Sequence, residues 1–139
     1  CLRGGIAGGA AEGGEGMKEI RSAEISDHLY SKAARTRIPL SGTFELTPLC
    51  NFACRMCYVR KTPAEVRDHP RPMLGHDDWL RIAREGRERG LLFLLLTGGE
   101  PLLWPGFWEL YAELVDMGML VAINTNGSLI DEGAARPGG

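Results

Sequence analysis

LLFLLLTGGE, residues 91–100, is the stretch on which the fold turns. Leu91 to Leu96 is an unbroken apolar run of six residues, far short of a bilayer span. A run of this length reads as a strand buried on both faces of a parallel sheet, and it delivers Thr97, Gly98, Gly99 and Glu100 at its carboxyl end. Upstream, Asp77 to Arg89 reads as a helix: Trp79, Leu80, Ile82 and Ala83 form one apolar stripe, acids come early, arginines late, and Gly90 ends it. Downstream, Pro105 suits the first turn of a second helix, which carries Phe107, Leu110, Tyr111, Leu114 and Val115 on one face and closes at Gly118. Met119 to Ile123 is then a third strand, ending in Asn124, Thr125, Asn126 and Gly127. Before all of these, Thr43 to Leu49 alternates Phe44 and Leu46 with polar neighbours and runs directly into Cys50, with Pro48 adding some irregularity near its end. Residues 60–76, rich in proline and charge, read as a long loop.

The order is β-α-β-α-β, and short right-handed crossovers make the three strands parallel. Every unusual polar turn, the cysteine loop included, then follows the carboxyl end of a strand, the rim where parallel α/β folds carry their chemistry. Periodicity alone leaves open whether three such strands begin a barrel or a doubly wound sheet.

Composition narrows the class. The 139 residues carry 16 Lys and Arg against 18 Asp and Glu, a net charge of −2. This leaves no basic footprint for nucleic acid and no polybasic patch for a membrane surface. A hydrophobic share of 44% with 24% charged residues is that of a soluble globular chain. Seven of the 19 glycines fall in residues 1–16 and three in 131–139, leaving nine for the remainder. The expected organisation is a disordered or extraneous leader over 1–16, a helical lead-in over 17–42, a core over 43–130, and a truncated or foreign tail over 131–139. Met17 opens the ordinary composition and reads as the native start, so the chain reads as a fragment with exposed strand edges and marginal stability. No apolar stretch of signal-peptide length follows a basic start, and a cytoplasmic location is expected.

Cys50, Cys54 and Cys57 lie within eight residues, in CNFACRMC. Three thiols leave one unpaired, so disulfides explain them poorly. A zinc site could add His28, His69 or His76, yet structural zinc usually draws on a second short cluster, and none follows. Cys1 lies in the leader. An iron–sulfur cube fits differently: four irons each need an outside ligand, and three thiolates leave one iron open to a reactant.

The C-x-x-x-C-x-x-C spacing, with TGGEPLL at the end of the second strand, resembles the radical S-adenosylmethionine (SAM) enzymes. The resemblance implies an α/β fold, parallel β/α units forming the first half of a partial (β/α)6 TIM-like barrel. It implies that Cys50, Cys54 and Cys57 hold a [4Fe–4S] cluster whose fourth iron binds SAM. It assigns Gly98, Gly99 and Glu100 to the methionine end, with Glu100 accepting from the amino group. It assigns Asn124 and Thr125 to the cavity wall, and sets the backbone of Met56 against adenine with its thioether filling a gap. Tyr58 is a cluster neighbour or an outer-face aromatic. LSGTFELTPLCNFACRMCYVR is similar to SPASM-type peptide- and protein-modifying members such as anaerobic sulfatase maturases. The implied reaction is reductive cleavage of SAM to a 5′-deoxyadenosyl radical that abstracts hydrogen from a peptide or protein, with a flavodoxin or ferredoxin as electron donor. Such chemistry belongs largely to the cofactor, so no His/Asp constellation is required for its first step. Later SAM contacts and auxiliary clusters would lie beyond residue 139. The alternative is a zinc-binding structural module without catalytic activity.

Overall fold

The computed structural model describes residues 22–130, so the leader, Met17 and the tail lie outside the described residues. Helix α1 (Ser22–Thr36) precedes β1 (Ser41–Thr47), α2 (Pro63–Arg67), α3 (His76–Glu88), β2 (Phe93–Gly98), α4 (Phe107–Asp116) and β3 (Leu120–Ile123), with a single 3-10 turn at Pro101–Leu103. The strands form one parallel sheet in the order β1-β2-β3. Ser41 pairs with Phe93 and Phe93 with Leu120, so the three carboxyl ends finish side by side. Pairing slips once, between Glu45 and Thr47, just before the cysteine loop.

Helices α1, α3 and α4 end alike. A residue of positive φ (Arg37, Gly90 or Gly118) is followed by an amide that bonds five residues back: Ile38 to Ala33, Leu91 to Gly86, and Met119 to Leu114. This closure satisfies carbonyls that the helix itself leaves orphaned, and it turns the chain sharply towards the next strand.

Helices α3 and α4 cover one face of the sheet. Phe44 and Leu46 of β1 and Leu94 and Leu96 of β2 meet Trp79, Leu80 and Ala83 of α3 and Phe107, Leu110 and Leu114 of α4. The Phe44 and Trp79 rings stand 4.7 Å apart. Leu96, Leu110 and Leu114 are wholly enclosed, each worth about 1.5–3 kcal/mol relative to exposure. His76 Nε2, 3.3 Å from Glu113 Oε1, and Arg87 Nε, donating to the Met117 carbonyl at 3.1 Å, link the two helices at their ends.

Several details differ from the sequence reading. Strand β2 is buried on one face only: Leu94 and Leu96 are enclosed, while Phe93 and Leu95 are half-buried, with the Tyr30 ring of α1 stacked on Phe93 at 6.1 Å. A uniformly apolar string cannot reveal which of its two faces a neighbour covers. Strand β1 begins two residues earlier than expected and stops at Thr47, ahead of Pro48, which has no N–H for the ladder. The stretch 60–76 is not all loop, because Thr62 and Glu65 form a reciprocal capping box around Pro63 and start α2. Pro105 lies outside α4; Gly106 is its N-cap, and the turn Pro101–Leu103 occupies the approach.

Candidate functional site

The ends of β1 and β2 are drawn together by backbone. Gly99 N donates to Thr47 O at 2.6 Å and Glu100 N to Leu49 O at 2.8 Å. A Cβ on Gly98 would run into the Thr47 carbonyl, and one on Gly99 into the carbonyl of Leu49. Gly98 also holds φ of 143°. The two glycines are therefore needed for a close approach between chains, which sets Leu49 and Cys50 directly beside the Gly-Gly-Glu turn. On the other side, Lys61 N bonds Pro48 O at 2.9 Å and closes the base of the cysteine loop.

Cys50 is half-buried, Cys54 and Cys57 are exposed, and all three thiols are free. Cys57 N bonds the Cys54 carbonyl at 3.1 Å, a tight turn that brings these two positions together. Backbone N–H groups reach the sulfurs: Phe52 N to Cys50 Sγ and Arg60 N to Cys57 Sγ, each at 3.4 Å. The Arg60 amide, then that of Val59, lowers the Cys57 pKa from its ordinary value, and the Arg60 charge adds to this. Each interaction favours the thiolate, the form that ligates metal. Among the described residues no three His, Cys, Asp or Glu side chains converge on a single ion, so the zinc arrangement with His28, His69 or His76 is not formed there. A four-iron cube makes a different demand, since its ligands belong to different irons and need not meet at one point. Three free thiols on one loop, with amides directed at two of them, fit that demand.

Glu100 has no exposed surface. Its Oε1 accepts from Leu102 N at 3.1 Å and from Thr125 Oγ1 at 2.7 Å, and its Oε2 accepts from Asn126 N at 2.9 Å. The carboxylate expected to accept from an amino group is thus also engaged by three donors of the chain. It caps the turn Pro101–Leu103 and pins the Thr125–Gly127 turn to the end of β2. Thr125 is half-buried and also accepts from Gly127 N at 3.0 Å. Asn124 extends the ladder through its N–H to Leu96 O at 2.9 Å and leaves its side chain exposed. Met56 is 94% exposed, and so is Tyr58; neither side chain fills a gap among the described residues.

Three residues of this rim carry roles that the sequence reading gave to none of them. Asn126 Nδ2 donates to Asn51 Oδ1 at 2.9 Å and lies 3.9 Å from Cys50 Sγ. Asn51 Nδ2 donates to Ser128 Oγ at 2.8 Å, while Ser128 N bonds Asn126 Oδ1 at 2.9 Å. The last of these bonds is the Asx turn that an Asn-Gly pair favours, and Asn126-Gly127 was the signal that could have found it. The three strand ends are thereby joined in one polar network.

Comparison with known proteins places this architecture. Residues 44–136 match the model of the Radical SAM superfamily. A probable GTP 3′,8-cyclase of Sulfurisphaera tokodaii is 35% identical over 86 residues, 61% of this chain and 26% of that protein. A PqqA peptide cyclase of Granulibacter bethesdensis is also 35% identical, over 94 residues, 68% of this chain and 24% of its own length. The chain thus spans about a quarter of the length of these relatives. Among solved structures, Streptococcus suis SuiB bound to S-adenosylmethionine superposes with a TM-score of 0.54 at 19% identity, covering 96% of this chain and 28% of that one. Its likeness is one of fold, a set of parallel β/α units of the partial-barrel kind. With the family model matching most of the chain and the strand ends arranged as described, this chain belongs to the radical SAM superfamily.

Proposed function

We propose that this chain forms the cluster-binding first half of the core of a radical SAM enzyme acting on a peptide or protein. The observation that carries the reading is the cysteine loop: three free thiols on one loop whose base is held against the Gly-Gly-Glu backbone at the carboxyl ends of parallel strands. Cys50, Cys54 and Cys57 would hold a [4Fe–4S] cluster, and Gly98 and Gly99 would offer backbone to the methionine end of SAM. Asn124, Thr125 and the Met56 backbone would border the cavity, while Glu100 would act from behind by fixing its wall. The cluster, when bound, supplies one electron for cleavage of SAM and so radical chemistry on the substrate. The chain's part is to keep the thiolates available, leave one position open and hold the three turns in register. A flavodoxin or ferredoxin would deliver the electron. A cytoplasmic location accords with free thiols, and no described helix is long and apolar enough to cross a membrane. The likeness to a PqqA peptide cyclase supports the substrate class, and the GTP 3′,8-cyclase is the relative that speaks for a nucleotide instead.

The test is anaerobic reconstitution of the protein carrying this chain. At least four irons per chain, an EPR signal that shifts on adding SAM, and loss of that signal together with about four irons in Cys54→Ala are expected. Zinc without iron would sink the assignment. Incubation with a precursor peptide or with GTP, followed by mass spectrometry, then separates the substrate classes: modified peptide is expected, and consumed GTP would reassign it.

A further inference from the structure

The network around Asn126 reaches one of the candidate cluster ligands. Its amide has two N–H groups: one donates to Asn51 Oδ1 at 2.9 Å and the nitrogen stands 3.9 Å from Cys50 Sγ. The turn that holds it is fixed from three sides. The buried Glu100 carboxylate takes the Asn126 N–H and the Thr125 hydroxyl, Ser128 N bonds the Asn126 Oδ1, and Asn51 returns a bond to Ser128 Oγ. An amide oriented by so many bonds is a preorganised donor, and Cys50 is the least exposed of the three thiols. We propose that Asn126 is a positioning residue that donates to the Cys50 thiolate and thereby raises the reduction potential of the cluster bound there; this rests on the reading of the cysteine loop given above.

The physical reason is that hydrogen bonds to cluster-bound sulfur stabilise the more negative, reduced state, and so set the potential along with charge and exposure. Phe52 N also reaches Cys50 Sγ, at 3.4 Å, but it lies within the cysteine loop itself. Asn126 comes from the end of β3, more than seventy residues away in sequence. It therefore makes the electronic state of the cysteine loop depend on a turn two strands distant, with Glu100 as the fixed point between them.

The experiment is an EPR-monitored redox titration of the reconstituted holoenzyme and of Asn126→Ala and Asn126→Asp, with iron content measured alongside. Asn126→Asp keeps the oxygen that accepts from Ser128 N but replaces the donor amide with a carboxylate oxygen. With iron content unchanged, we expect both variants to be harder to reduce, and Asn126→Asp more so than Asn126→Ala. The expected loss is about tenfold in the reduction equilibrium, which for one electron is about 59 mV towards more negative potential. An unchanged midpoint in Asn126→Ala overturns the proposal, because the added charge of Asn126→Asp would shift the midpoint even if no hydrogen bond were lost. Loss of iron from Asn126→Asp overturns it too, because Asn126 would then be holding the site together and not adjusting it. Iron-free wild-type protein, or a SAM-sensitive EPR signal retained after Cys50→Ala, instead defeats the cluster assignment itself.

Discussion

The two halves of the rim are built differently. On the β2–β3 side, a wholly buried carboxylate gathers three donors and ties the Gly-Gly-Glu turn to the Thr-Asn-Gly turn. On the β1 side, the cysteine loop leaves Cys54, Met56, Cys57 and Tyr58 in solvent, tied mainly at its base by Lys61 to Pro48 and at Asn51. One half is organised before anything binds, and the other presents thiols whose arrangement a ligand can complete. Protein contacts alone thus define the wall of the site but only the base of its cysteine loop.

The largest way to break this contrast is Glu100→Ala. Removing the buried shared acceptor leaves three part-buried donors without it and should cost about 3–4 kcal/mol in the unfolding free energy. Amide exchange over residues 124–128 should then rise to the level of the cysteine loop; exchange that stays slow would mean that the ladder alone holds the turn. Glu100→Gln, which retains one acceptor oxygen, should fall between.

Gly99→Ala sharpens the comparison at the joint between the halves. The added methyl meets the Leu49 and Pro48 carbonyls, neither of which is the end of a flexible side chain. We expect a loss of roughly 1–3 kcal/mol from overpacking, with shifts in backbone resonances concentrated at Thr47–Cys50. Shifts confined to Gly98–Glu100 would contradict that placement.

The smallest effect lies in α2, beyond the cysteines. The Thr62 backbone N–H and then its hydroxyl hold the Glu65 carboxyl below its usual range. A lowered folded-state value means that the cap contributes above the ordinary glutamate range and is lost as pH falls through that lowered value. NMR over an acid titration should show the Pro63–Arg67 turn loosening only at the acidic end. Loosening as pH rises would have the wrong sign.

What sequence could convey follows the same division. The apolar stripes of Trp79, Leu80 and Ala83 and of Phe107, Leu110 and Leu114 were plain, because burial against one sheet face imposes a period. So was the rim position of the cysteines and of Gly98 to Glu100, since parallel connections put all strand ends together. The direction in which Glu100 points was not legible. A carboxylate after two glycines suits a ligand as well as it suits a buried clasp, and two of its three partners lie about 25 residues on, at Thr125 and Asn126. Asn126 was hidden for the same reason, since local propensity explains a turn asparagine before any distant bond is considered. The half-covered face of β2 was equally silent, because Leu95 and Leu96 are the same residue with opposite surroundings.

The register of the sheet also bears on the order in which the rim assembles. β2 and β3 join residues 93 and 120, whereas β1 and β2 join 41 and 93, about twice the distance along the chain. Doubling a closed loop costs roughly 0.6 kcal/mol more in chain entropy. Closure entropy therefore favours the β2-α4-β3 unit as the earlier to form, with β1 docking after it. Pulse-labelled exchange should find the amides of Val121–Ile123 protected before those of Phe44–Leu46, and the reverse order would refute this. In a chain that folds this way, the thiols meet their completed wall last, so the cysteine loop is a late arrival and not the seed of the fold.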